Sequence, residues 1–172
     1  GLVFYGQPII APCTALAVVE IIREMKITLR GIHAVVVGQG PIVGRPINVF
    51  LIQENATVTA CNEFTGNLAE HTRRADLLVV AAGKPGLITA EHVRPGAVVI
   101  DVGINRIKTV DPSGQTMVRT VGDVDFESVR QVAGAMTPVP GGVGPMTIAV
   151  LLRNTLVAAY RNAGLELAAD AV

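Results

Sequence analysis

Three glycines stand in Gly38-Gln39-Gly40-Pro41-Ile42-Val43-Gly44, between an apolar run and a helical stretch. Glycine lets the chain turn tightly and approach a pyrophosphate, whose charge a helix N-terminus favours. The spacing is G-x-G-x-x-x-G rather than G-x-G-x-x-G, and such a turn also serves packing alone. Glu63 follows the next apolar run. An acid there accepts hydrogen bonds from adenosine ribose hydroxyls and repels a 2′-phosphate; it also fits a solvated loop charge. The third group is Pro138-Val139-Pro140-Gly141-Gly142-Val143-Gly144-Pro145-Met146-Thr147. Its prolines and glycines make a stiff, closely approachable loop at a helix start, suited to an anionic or planar ligand. The alternative is a fixed entry turn with Pro145 at the first helical position.

Other polar residues point to less. His33, His71 and His92 read as structural or solvated. Asp101, Asp123 and Asp125 have no His or Lys partner nearby in sequence, so general acid–base work is not indicated. Cys61 reads as a small apolar filler. Cys13 and Cys61 form no C-x-x-C, so no metal site is expected.

The elements positioning these groups alternate between strand and helix. Strands are expected at 33–37, 56–60, 77–81 and 97–102, and the first, third and fourth run into Gly38, Gly83 and Gly103. Helices are expected at 14–25 with Thr14 as cap, 42–53, 68–75, 126–132 and 146–163, with a short turn at 89–93 capped by Thr89. The last helix is apolar almost all round at its start, which predicts burial there. Asp111-Pro112-Ser113-Gly114 reads as a hairpin turn with a return strand over 117–121, and 136–139 as a brief strand. The tail 166–172 is expected to fray. The pattern predicts one α/β domain, a Rossmann-like doubly wound, mostly parallel sheet with a β-hairpin insertion: 1–26 an entry segment and linking helix, 31–163 the core.

Composition narrows the class. The chain has 172 residues, half of them hydrophobic and 3% aromatic. Lys+Arg 14 balances Asp+Glu 14, which argues against nucleic acid as partner. Uninterrupted apolar runs are short, so no membrane span is expected, and no signal peptide is visible at Gly1, so a reducing cytoplasm is expected. Charged residues are 16%, below the roughly 25% of ordinary domains. That predicts a sheet buried on both faces, or surface covered by something else. A domain of this mass should fold to roughly 8,000 Å² of surface.

Further segments join the loops above: Pro12-Cys13-Thr14, Glu54-Asn55-Ala56-Thr57-Val58-Thr59, Gly83-Lys84-Pro85-Gly86, Pro95 to Asn105 and Val121-Gly122-Asp123-Val124. In this order the set resembles the C-terminal half of the bifunctional methylenetetrahydrofolate dehydrogenase/methenyltetrahydrofolate cyclohydrolase family, from about residue 1 to 161. The P-V-P-G-G-V-G-P-M-T loop is close to diagnostic. The resemblance implies a Rossmann-like domain binding NADP or NAD through Gly38, Gln39, Gly40, Ile42, Val43, Glu63, Ala82, Gly83, Gly103 and Ile104. It implies that Pro140, Gly141, Gly142, Val143, Gly144, Pro145, Met146, Thr147 and Ile148 line a tetrahydrofolate pocket. Members of the family oxidise 5,10-methylenetetrahydrofolate and hydrolyse the methenyl product to 10-formyltetrahydrofolate, and a homodimer is expected.

Two departures stand out. The family's catalytic lysine belongs to a Tyr-x-x-x-Lys motif in an N-terminal domain. Here Lys26, Lys84 and Lys108 have Ile22, Val80 and Ile104 four residues before them, so no catalytic residue is expected in this chain and it should be inactive alone. The chain reads as a fragment lacking that domain; the rival reading is a stand-alone nucleotide-binding or regulatory module. The second departure concerns the cofactor. Gln39-Gly40 replaces the usual Arg-Ser, and Asn62-Glu63-Phe64-Thr65 replaces a His-Ser-Lys-Thr-type segment. NADP is the family's cofactor, but these replacements remove attraction for a 2′-phosphate and favour NAD. Arg45 remains as a cation within reach.

Overall fold

The computed structural model describes residues 2–6, 10–110 and 114–165. The expected hairpin turn at 111–113 and the tail 166–172 lie outside them. Within the described residues the strands are β1 (His33–Val37), β2 (Thr57–Cys61), β3 (Leu77–Val80), β4 (Val98–Asp101), β5 (Asn105–Val110), β6 (Thr116–Val121) and β7 (Ala135–Met136). The helices are α1 (Cys13–Glu24), α2 (Gly44–Gln53), α3 (Leu68–Thr72), α4 (Phe126–Val129) and α5 (Val143–Asn162), with a 3-10 turn at Ala90–His92.

Five strands form a parallel sheet in the order β2-β1-β3-β4-β7, while β5 and β6 form a separate antiparallel hairpin. Period-two alternation divides the core. Ala34, Val36, Leu77, Val79 and Ile100 face α1, α2 and α5. Val35, Val37, Leu78, Val80 and Val99 face the other way, toward Ala75, Ile88, Val93 and Val129. β3 is fully buried, so its two-sided burial accounts for much of the low charge. The fold is Rossmann-like and doubly wound, as expected. From β2 the chain returns across β1 to β3, so the strand order reverses at the β1/β3 boundary, where open α/β sheets place their crevice.

Boundaries differ from expectation for local reasons. α2 starts at Gly44 rather than Ile42, because Pro41–Val43 form a turn that brings Gly44 against the Gly38 carbonyl. Pro12, not Thr14, precedes α1, and no side chain caps it. Thr89 does cap its turn, in a reciprocal box with His92. α3, α4 and β7 are shorter than expected.

α5 corrects the expectation most. It starts at Val143, so Gly144 and Pro145 lie in its first turn, and Pro145 is its third residue. Its start is not buried all round: only Val143, Val150 and Asn154 are buried, while Ile148, Leu151 and Leu152 are 61%, 53% and 66% exposed. By length and composition α5 could cross a membrane. Its contacts place it on the domain instead: Asn154 Nδ2 donates to the Ala11 carbonyl at 2.9 Å, and Arg153 pairs with Glu20 at 3.4 Å. The folded surface, 9992 Å², exceeds the roughly 8,000 Å² expected for the mass.

Candidate functional site

Three cavities reach the C-terminal ends of the parallel strands; the third, of about 620 Å³, runs from Asp101 past Gly122 and Val124 to Phe126 in α4. The first, about 520 Å³, lies at the β1/β3 boundary; Gly38, Gln39, Gly40, Asn62, Glu63, Thr65, Ala82 and Lys84 line it. Its floor is set by backbone contact. Gly38 has φ +98°, and a Cβ there would overlap the Ala81 carbonyl. A Cβ on Gly44 would overlap the Gly38 carbonyl, so the loop closes on the start of α2.

Gln39 does not offer its carboxamide to this cleft. Its Nε2 donates to the Val36 carbonyl at 3.0 Å, and its Oε1 accepts from Asn48 Nδ2. The side chain ties β1 to α2. Arg45 Nε donates to the Gln39 carbonyl at 3.0 Å, which lays the guanidinium along the loop. Glu63 is exposed, on a turn held by its neighbours. The Asn62 amide donates to Thr65 Oγ1 at 2.9 Å, and the Phe64 amide donates to Asn62 Oδ1 at 3.0 Å. Cys61 beneath is buried; burial pushes its thiol up, and the Thr65 hydroxyl pulls it partly back.

The second cavity, about 510 Å³, is lined by Gly103, Ile104, Pro140, Gly141, Gly142, Val143, Gly144, Pro145, Thr147 and Ile148, together with Thr14, Asp101, Val102, Thr120, Pro138 and Val139. The 138–142 loop is pinned by contact: Gly142 lies against the Pro138 carbonyl and Thr137, and Gly141 has φ +110°. The Val139–Pro140 peptide is cis. Thr147 Oγ1 donates to the Val143 carbonyl at 2.9 Å, inside the first turn of α5.

Of the sequence-selected residues, Ile42, Val43, Gly83 and Met146 line neither the first nor the second cavity. Val43 and Met146 pack against the core, and Ile42 is 74% exposed. The Gly83 amide donates to Asp123 Oδ2 at 2.8 Å. Thr14 was missed as a lining residue because a threonine after Pro-Cys also reads as a cap. Asp101 and Asp123 were missed because their partners are backbone amides, which no side-chain pairing rule finds.

Those two carboxylates are 3% and 0% exposed and lie where β3 and β4 end. Asp101 Oδ1 accepts from the amides of Gly103 at 2.9 Å and Asp123 at 3.0 Å, and its Oδ2 from Val124 at 3.0 Å. Asp123 Oδ2 accepts from the amides of Ala82 at 2.7 Å and Gly83 at 2.8 Å, and its Oδ1 from Asn105 Nδ2 at 2.7 Å. Gly103 and Gly122 have no room for a Cβ because these carboxylates fill the space. Burial pushes the Asp101 carboxyl up; the Asp123, Val124 and Gly103 amides pull it down, and the Asp123 charge raises it.

The family described as tetrahydrofolate dehydrogenase/cyclohydrolase, NAD(P)-binding domain, matches residues 12–163. Among curated relatives, the bifunctional protein FolD of Bordetella petrii is 55% identical over 164 residues, covering 95% of this chain and 53% of its own. That of Nitrosospira multiformis is 55% identical over 159 residues, covering 92% and 52%. The chain thus spans about half the length of the curated relatives it matches. Among solved structures, the methylenetetrahydrofolate dehydrogenase-cyclohydrolase of Trypanosoma brucei, complexed with NADP and an inhibitor, superposes with TM-score 0.82 at 44% identity, over 91% of this chain and 52% of its own. The bifunctional enzyme of Thermoplasma acidophilum superposes with TM-score 0.83 at 36% identity, over 95% and 56%. With a match over residues 12–163 and this agreement in fold, the chain belongs to the tetrahydrofolate dehydrogenase/cyclohydrolase family, as its NAD(P)-binding domain.

Proposed function

We propose that this chain is the cofactor-binding part of an enzyme that oxidises 5,10-methylenetetrahydrofolate with a nicotinamide dinucleotide and hydrolyses the methenyl product to 10-formyltetrahydrofolate. The observation that carries the reading is the pairing of the first two cavities at the strand ends. The first suits adenosine and pyrophosphate, between the glycine loop, the start of α2 and Glu63. In the second, Ile104 and the Pro140–Ile148 segment share one space. Hydride transfer needs nicotinamide and folate rings in contact, and this cavity has the size and apolar walls for that meeting.

The fold brings no side chain with the chemistry of a general base to the second cavity apart from the amide-held Asp101, so the isolated chain should not turn over. The exposed stripe Ile148, Leu151, Leu152 and Leu156 on α5 supports a further domain seated against that helix and completing the folate site. Assaying the chain for methenyl hydrolysis decides this: no turnover is expected, and appreciable turnover overturns the division of labour. A regulatory module without catalysis gains weight only if a gene with nothing upstream of this segment encodes it. A cytoplasmic homodimer binding neither nucleic acid nor membrane completes the reading, and sedimentation velocity tests the dimer.

For the cofactor we propose NAD over NADP. Glu63 places a negative charge at the ribose end of the first cleft, and Gln39, also in its wall, has its carboxamide engaged by Val36 and Asn48. Arg45 and Lys84 are the opposing cations. Titration with NAD and NADP at equal ionic strength should show NAD at least as tight; tenfold tighter NADP overturns the preference.

A further inference from the structure

Asp101 and Asp123 take six hydrogen bonds, all from neutral donors: five backbone amides and the Asn105 side chain. Among the described residues neither carboxylate joins an ion pair. Neutral N–H donors stabilise a carboxylate without cancelling its charge, so the strand ends hold negative charge in a place nearly closed to water. Buried charge is ordinarily met by an opposite charge, and the described residues supply none. Asp101 also stands in the wall of the second cavity, whose other walls are mostly apolar side chains and loop backbone, with Thr14, Thr120 and Thr147. The cavity supplies the site; the carboxylate supplies its sign.

We infer that Asp101, with Asp123 behind it, makes the second cavity select a planar cation, so that it holds an oxidised nicotinamide ring more tightly than the neutral reduced ring. The inference rests on the reading of this cavity as the nicotinamide end. Oxidised nicotinamide carries one positive charge delocalised over the ring, and hydride addition removes it. An apolar cavity with one fixed negative pole distinguishes the two states by charge while accepting the same shape. The Asp123 backbone amide donates to Asp101 Oδ1, and the Asp123 carboxylate holds the Ala82 and Gly83 amides. Asp123 fixes where Asp101 sits and adds a second, more distant charge of the same sign.

The test compares affinities for NAD in its oxidised and reduced forms, with ADP-ribose as a probe lacking the ring. In Asp101→Asn the ratio of reduced-form to oxidised-form Kd should fall about tenfold, or about 1.4 kcal/mol. ADP-ribose affinity should stay within twofold. Asp123→Asn can keep its oxygen toward Ala82 and Gly83 and turn its amide to a flipped Asn105, so it preserves packing while removing one charge. It should shift the ratio the same way by a smaller factor, two- to threefold, and it decides the matter if Asp101→Asn does not fold. If the folded variants lose both redox forms equally, the carboxylates are structural only and the inference is overturned, with the reading of the cavity intact. If the unaltered chain binds ADP-ribose as tightly as either dinucleotide, the ring has no site in this cavity, and the reading and the inference fall together.

Discussion

At Gly38 and Gly40 the same residue type does two different jobs. Gly38 has a left-handed backbone with the Ala81 carbonyl where a Cβ would go, whereas nothing lies within 4 Å of the Cβ position at Gly40. Gly38→Ala should therefore cost about 3 kcal/mol or more in a urea titration, combining strain with a backbone clash. Gly40→Ser should stay within about 0.5 kcal/mol and, by restoring a hydroxyl donor for a 2′-phosphate, strengthen NADP relative to NAD. Glu63→Gln should move preference the same way by removing the repulsion. Competitive titration of the two cofactors reads both. Cys61, buried with its thiol pushed up, should resist iodoacetamide in the native state at pH 8 and react on unfolding.

Among the elements, the turn at Ala90–His92 carries its own pH sensor. The Thr89 amide donates to His92 Nδ1 at 3.3 Å, which only the neutral ring accepts, and burial holds the His92 pKa below its usual value. A base with a depressed folded pKa contributes its full stability above the unfolded value of about 6.5 and loses it as pH falls through the folded value. Tm should fall from pH 7 to 5 more steeply in the unaltered chain than in His92→Gln, which keeps the capping pattern without titrating. Strands were the most legible elements in the sequence, because buried β-branched runs ending at glycine leave few alternatives. The start of α2 was not legible, since Pro41 and Ile42 fit a first turn by composition. Contact between Gly44 and Gly38, invisible to periodicity, sets the boundary instead. Both glycine-bearing loops at the site were legible, because loop chemistry is local. The Asp101–Asp123 network was not, because it joins residues 22 apart through backbone amides.

Taken whole, the molecule is finished on the sheet faces and unfinished along α5. Leu152 is 66% exposed and Val150 is 3% exposed on the same helix. Leu152→Glu should leave the Tm of the isolated chain within about 3 °C and reduce self-association in sedimentation. Val150→Glu should prevent folding, because it buries an unpaired charge. The low charged fraction thus has two sources, strands buried on both faces and a helix face left apolar. Scaffold and recognition are also held by different means. The core clusters and the Gly38–Gly44 contact fix the sheet and the glycine loop, whereas Asn62 and Thr65 tie their own turn from its two ends. The side chains of residues 63 and 64, between those ties, are exposed. Under the proposed preference for NAD, exchange of the exposed Glu63 alters the charge met by the dinucleotide and leaves the scaffold intact, so carrier choice and stability are set by separate residues.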